Sequence, residues 1–262
     1  MKYFDSHAHY YDERFCEESE KGADGILGTL FSSDVSGVVN VGTSPESCRL
    51  AAEQAKRYAG MYTALGIHPS DALFIKEPME EALLLIEGMI SDKSNKCVAL
   101  GEIGLDYHYD NTDKPLQWKY LEAQFDMAER LALPVVIHDR DAHGDIMAAV
   151  RNFPRVKGVF HSFSGSAEMA EELVALGYMI SFSGTLTFTN ARKPKEAAAV
   201  VPTDRLLIET DCPYLAPHPK RGTLNHSGNL VYTNRVLAEI KGIEEEECAI
   251  LTEANARRFF GL

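Results

Sequence analysis

The strongest constraint on this chain is an alternation. Eight short apolar runs recur along it: residues 2–9 (KYFDSHAH), 36–42 (SGVVNVG), 61–69 (MYTALGIHP), 97–106 (CVALGEIGLD), 134–139 (PVVIHD), 156–162 (VKGVFHS), 178–184 (YMISFSG) and 205–211 (RLLIETD). Their near-continuous hydrophobicity reads as strands covered on both faces, as in a parallel sheet. Between them, helical period marks residues 44–59, 78–92, 115–132, 141–152 and 166–177, and two more helical segments follow at 229–241 and 244–260. Start and stop signals agree: Ser44 precedes Pro45, Ser166 precedes an acidic turn, and Gly177 is placed to end its helix. Strand and helix in regular turn, joined by right-handed crossovers, predict an α/β fold, the (β/α)8 TIM barrel.

A chain of 262 residues fits such a barrel as a single domain over residues 1–262. The rival is a doubly wound open sheet, but no G-x-G-x-x-G follows any of the strands, which removes its dinucleotide-binding variety.

Five scattered cysteines with no C-x-x-C pair argue against a disulfide framework and against a thiolate zinc site. The first residues contain no apolar signal region, and about 18 consecutive apolar residues occur nowhere, so neither a signal peptide nor a membrane span is expected and a cytoplasmic location is. The net charge is -13, with acidic clusters at Asp12 to Asp24 and Glu244 to Glu247. Broad nucleic-acid faces are basic because counterion release drives their association, and no such face shows here. Bound divalent cations would change that field locally.

Polar residues break the apolar runs in one place. His7 and His9 close the first run, His68 the third, Glu102 and Asp106 the fourth, His138 the fifth, His161 the sixth and Asp211 the eighth. These are carboxyl ends of strands, which in a barrel form the face where active sites are built. The strand period of two points His7 and His9 to the same side, so both can reach one ion. Imidazole nitrogen and carboxylate oxygen suit Zn²⁺, Mn²⁺ or related ions in an open, catalytic site. Glu102 can offer one oxygen to each of two ions and His138 and His161 can hold the second, a spacing of about 3.5–4 Å that lets paired metals activate water. Asp211 can hold the first ion and orient or deprotonate that water. Asp106 is read instead as a cap on the segment after its strand.

The motifs DSHAH (5–9), GIHP (66–69), GEIGLDY (101–107), LPVVIHDRDA (133–142), HSFSG (161–165) and IETDCPYLAP (208–217) together resemble the TatD family of metal-dependent deoxyribonucleases, within the amidohydrolase-like barrels. The resemblance spans nearly the whole chain. It implies a first metal on His7, His9, Glu102 and Asp211 and a second on Glu102, His138 and His161, with Mg²⁺ or Mn²⁺ expected and Zn²⁺ allowed. It also implies that His68 lies near a substrate phosphate and that Arg140 makes a phosphate or structural contact.

The substrate it implies is a single-stranded DNA or RNA end, with no membrane and no obligate protein partner. One stretch departs from the pattern: after PYLAP the family usually shows an Asn followed by an acid and a proline, whereas here Asn225 is followed by His226 and Ser227. Lys220 and Arg221 of that loop, with Arg192, Lys193 and Lys195 of the preceding one, are candidates for a basic rim that meets phosphates. The expected activity is phosphodiester hydrolysis. The alternatives are an amidohydrolase-type enzyme on a small amide, ester or lactone, and a non-catalytic binding protein that holds metal for structure.

Overall fold

The computed structural model describes residues 1–18 and 21–262, so part of the acidic stretch between Asp12 and Asp24 lies outside the described residues. Among the described residues there are eight strands: β1 Tyr3–Ala8, β2 Val35–Val41, β3 Met61–Leu65, β4 Cys97–Asp106, β5 Val135–Arg140, β6 Gly158–Phe160, β7 Met179–Phe182 and β8 Leu206–Ile208. They form one parallel sheet in chain order, and β1 meets the exit of β8 through the parallel bridge Ala8↔Cys212. This is the expected (β/α)8 barrel.

The helices are α1 Arg14–Glu18, α2 Asp24–Ser32, α3 Pro45–Arg57, α4 Met79–Ser91, α5 Lys114–Leu131, α6 His143–Asn152, α7 Ala167–Ala175, α8 Arg192–Val200, α9 Leu230–Lys241 and α10 Glu245–Phe260. Among the described residues none is long and apolar enough to cross a membrane.

Three differences from the sequence reading have physical causes. β6 and β8 stop before His161 and Asp211, because Ser162 (φ 41°) and Asp211 (φ 56°) leave the β region. Helices α1 and α2 fill the connection after β1, where α2 buries only Leu27 and Leu30, too narrow a stripe to stand out. Helix α8 begins with charged residues and buries only Ala197 and Ala198, so Arg192, Lys193 and Lys195 lie on a helix and not in a loop.

By internal contacts the chain divides into two compact units. The first comprises Met1–Asn40 and His161–Leu262. Within it β1 is tied to the residues after β8: Asp211 N–H donates to the His7 carbonyl at 2.9 Å, and His9 N–H to the Cys212 carbonyl at 2.7 Å. Helix α10 closes one flank by stacking Phe260 on Phe4.

The second unit is Val41–Phe160. Its strands β4 and β5 pair with Gly104 opposite His138, and a Cβ at Gly104 (φ 149°) would collide with the His138 carbonyl oxygen. Only glycine lets the two backbones approach this closely. Gln124 of α5 grips both polar groups of Ile67, accepting its N–H at 2.7 Å and donating to its carbonyl at 3.1 Å, which fixes the chain just before His68. Helix α3 opens with Ser44 and Ser47 in a reciprocal capping box, an arrangement worth about 1 kcal/mol.

Candidate metal centre

In the first unit, three ligand-type side chains converge. His7 Nε2 and His9 Nε2 face each other at 3.0 Å, and Asp211 Oδ1 lies 3.6 Å from the former and 3.3 Å from the latter. Two imidazole lone pairs cannot face each other unless a proton or a cation lies between them, and a carboxylate at the same point adds negative charge. The donor set fits a divalent cation.

The far side of His9 is anchored by its Nδ1 contact with the Tyr11 hydroxyl at 3.2 Å, an outer-shell bond of the kind that orients metal-binding imidazoles. Burial pushes the Asp211 carboxyl up, but the His9 hydrogen bond and the His7 and His161 imidazoles outweigh it, and the group sits below its ordinary range. His161 stacks on His7 with ring centroids 4.1 Å apart and planes 16° apart.

In the second unit, Glu102 Oε1 lies 2.8 Å from His138 Nδ1 and 3.5 Å from His68 Nε2. These three side chains also offer atoms close enough to hold an ion. They are not equivalent. The Ser70 N–H donates to His68 Nδ1, so the neutral His68 ring carries its proton on Nε2 and presents a donor. His138 Nε2 lies 3.1 Å from Asp106 Oδ2.

Asp106 is more than a cap. Burial pushes its carboxyl up, yet His138, the His108 N–H and His68 together bring it down to about 2. Ser70 Oγ also donates to Oδ2, and Gln117 fixes the Asp106 backbone at both its N–H and its carbonyl.

Two buried carboxylates escaped the sequence reading. Asp5 is fully buried and accepts from Ser227 Oγ, Thr210 Oγ1, Thr210 N–H and His7 N–H. Burial still pushes it up to about 7. Glu209 is also fully buried and accepts from the Ser162 N–H at 2.8 Å, with His161 Nδ1 at 3.2 Å. The signal for Asp5 was the period of two: it precedes His7 by two residues within β1, which turns both to one side of the strand, whereas Glu209 lies beyond the end of β8 and carried no such signal.

The rim residues are exposed. Arg140 lies 5.6 Å over the Tyr109 ring, and Arg221 lies 4.3 Å over the Phe188 ring. Lys220 is exposed as well. Arg14 and Tyr214 were not anticipated: the guanidinium sits 3.8 Å over the half-exposed Tyr214 ring, held there by two bonds to Asp12 at 2.9 and 2.7 Å. Tyr214 in turn stands edge-on to His9.

The sequence pattern of the family described as TatD related DNase matches residues 4–261. The chain belongs to this family. It is 38% identical over 259 residues to an uncharacterized metal-dependent hydrolase of Bacillus subtilis, with 98% of both chains covered. A second uncharacterized metal-dependent hydrolase, from Escherichia coli K12, is 34% identical over 262 residues, covering 98% of this chain and 94% of its own.

Among solved structures, a TatD homolog from Escherichia coli K12 superposes with a TM-score of 0.89 at 29% identity, covering 99% of this chain and 98% of the other. A TatD-family hydrolase from Entamoeba histolytica shares the fold, with a TM-score of 0.84 at 22% identity and 98% of each chain covered. The protein is a metal-dependent hydrolase of the TatD family, and its imidazole and carboxylate groups provide the candidate ligands.

Proposed function

We propose that the protein is a deoxyribonuclease acting on DNA ends, built as one domain spanning residues 1–262 and working through two divalent ions. The observation that carries this reading is the pair of mixed imidazole and carboxylate groups, His7, His9 and Asp211 in one unit and Glu102 with His138 in the other. In this reading the first ion is held by His7, His9, Glu102 and Asp211 and the second by Glu102, His138 and His161. Mg²⁺ or Mn²⁺ is the working metal, with Zn²⁺ able to occupy the same donors. When bound, the ions supply Lewis acidity toward a phosphoryl oxygen and a nucleophilic water at neutral pH.

The chain's own groups do the rest. Asp211, held below the ordinary carboxylate range, remains an anion at neutral pH and can accept a proton from the attacking water. His68, with its proton on Nε2, is the donor for a phosphate oxygen. Arg140, Lys220 and Arg221 meet phosphates away from the reacting bond. Arg221 on Phe188 and Arg14 on Tyr214 combine a cation with an aromatic face, the pairing that single-stranded nucleic acid uses for backbone and base together. The proposed site of action is the cytoplasm, on single-stranded DNA or RNA ends, with no membrane and no obligate protein partner.

The net charge of -13 favours a second reading, an amidohydrolase-type enzyme on a small amide, ester or lactone, because a polyanion is repelled by such a surface. End-labelled single-stranded and duplex DNA and RNA, assayed with Mg²⁺, Mn²⁺, Co²⁺ or Zn²⁺ at confirmed occupancy, separate the two. Nucleotide release that is lost in D211N supports the nuclease. Turnover of small esters or amides with no cleavage of any nucleic acid overturns it.

A further inference from the structure

Glu209 is a buried carboxylate whose surroundings the proposed hydrolysis leaves unexplained. It sits just beyond β8, is fully buried, and does not belong to the groups whose atoms converge as candidate ligands. Its Oε1 accepts the Ser162 N–H at 2.8 Å and meets His161 Nδ1 at 3.2 Å. An oxygen that already receives an N–H is an acceptor, so the neutral His161 ring carries its proton on Nδ1 and keeps its lone pair on Nε2. Glu209 Oε2 is buried with no hydrogen-bond partner among the described residues.

We infer that Glu209 is a positioning residue: it fixes the tautomer and ring orientation of His161 so that Nε2 is presented to a divalent cation. The inference rests on the reading that His161 is a ligand. The alternative, that Glu209 only ties down the turn after β6, does not account for its contact with His161 Nδ1.

A neutral glutamine would hold the Ser162 N–H equally well and would avoid burying an ionisable group, a burial that is unfavourable where partners are missing. A negative charge behind the ring is useful for a different reason. An imidazole that donates its lone pair to a cation becomes a stronger N–H donor, and a carboxylate behind it raises the basicity of the ligating nitrogen. Ser162 itself is held in a left-handed backbone conformation (φ 41°), and its hydroxyl meets Ser183 Oγ at 2.8 Å, so the segment carrying His161 is pinned from two sides. His161 also stacks against His7, which leaves the ring little freedom to flip.

The test uses the full chain and Mn²⁺ alone, read by calorimetry and by electron paramagnetic resonance of the free ion, together with ¹⁵N NMR of the histidine rings in the metal-free protein. Three proteins are compared: wild type, E209Q and H161N. In wild type the His161 ring is expected to be protonated at Nδ1. E209Q keeps the acceptor for the Ser162 N–H and for His161 Nδ1–H and the thermal stability of the metal-free protein, but without a carboxylate behind the ring it binds the weaker of two Mn²⁺ ions roughly 10- to 100-fold less tightly.

If H161N weakens Mn²⁺ binding and E209Q binds as wild type does, the positioning role is wrong while the ligand assignment stands. If H161N binds both ions unchanged, the ligand assignment itself fails and the inference goes with it. A wild-type ring protonated at Nε2 overturns the inference directly, and that measurement decides alone should E209Q not fold.

Discussion

Ser227 donates a hydrogen bond to Asp5 at 2.6 Å across 222 positions of sequence. The contact joins the loop that departs from the family pattern to the strand that carries His7 and His9. Ser227 is fully buried, and its hydroxyl also meets the Tyr10 hydroxyl at 2.7 Å. Asn225 of the same loop donates to the carbonyls of Thr210 and Tyr214. The departure from the family pattern is therefore an internal tie. Replacing Ser227 with alanine leaves Asp5 one donor short and removes one of the contacts of the Tyr10 hydroxyl, at a cost of about 1–3 kcal/mol. Denaturant unfolding of S227A should show that loss with an unchanged slope. A variant as stable as wild type would mean that the loop is not anchored through this residue.

His68 separates binding of metal from chemistry. Because the Ser70 N–H occupies its Nδ1, the neutral ring faces Glu102 with a proton and not with a lone pair. H68A should lower kcat by about 10²–10³, the effect of losing one donor to developing charge, and leave Mn²⁺ affinity within twofold of wild type. A tenfold loss of Mn²⁺ affinity in H68A would make His68 a ligand and refute the tautomer argument.

Acid should remove metal through the imidazoles and not through the carboxylates. Asp211 lies below its ordinary range and Asp106 is down to about 2, so both stay ionised across the physiological range. Ligating histidines must be neutral, so binding competes with protons and affinity falls as pH drops through the ordinary histidine range near about 6.5. Calorimetric titrations with Mn²⁺ between pH 5 and pH 8 should show this loss on the acid side, with protons released on binding. Affinity that is flat down to pH 5 would exclude histidine as the principal ligand.

Much of this was legible in the sequence, and the limits are informative. Buried parallel strands write continuous apolar runs, so β4, which occupies the whole of Cys97–Asp106, matches its run residue for residue. The H-x-H spacing follows from strand period, and His7 and His9 do converge. Helix α8 was invisible because its solvated face begins with charges and its buried face is only alanine. Gly104 is ordinary as a letter, and the collision that excludes a side chain there exists only once β5 lies beside it. Asp106 was read only as a cap, and Glu209 was missed, for a related reason. Their partners, His138 and His161, stand 32 and 48 positions away, and sequence order does not show which carboxylate stands behind which ring.

The rim tests the nucleic-acid reading most directly. Arg221 lies over Phe188, exposed, on a protein whose net charge of -13 otherwise repels a polyanion. If phosphates are met there, R221A should weaken binding of single-stranded DNA about equally for all sequences. It should also reduce the slope of log affinity against log salt by about one. Turnover of a saturating substrate should change little, because the residue touches neither the reacting bond nor the candidate ligands. Fluorescence anisotropy with a labelled oligonucleotide at 50–200 mM salt, in the presence of Ca²⁺ to hold back cleavage, reads the slope. An unchanged slope in both R221A and K220A would remove this loop from the binding surface. It would leave a polyanion no cationic contact on this loop, and the balance would shift to a small, uncharged ester or amide as the substrate.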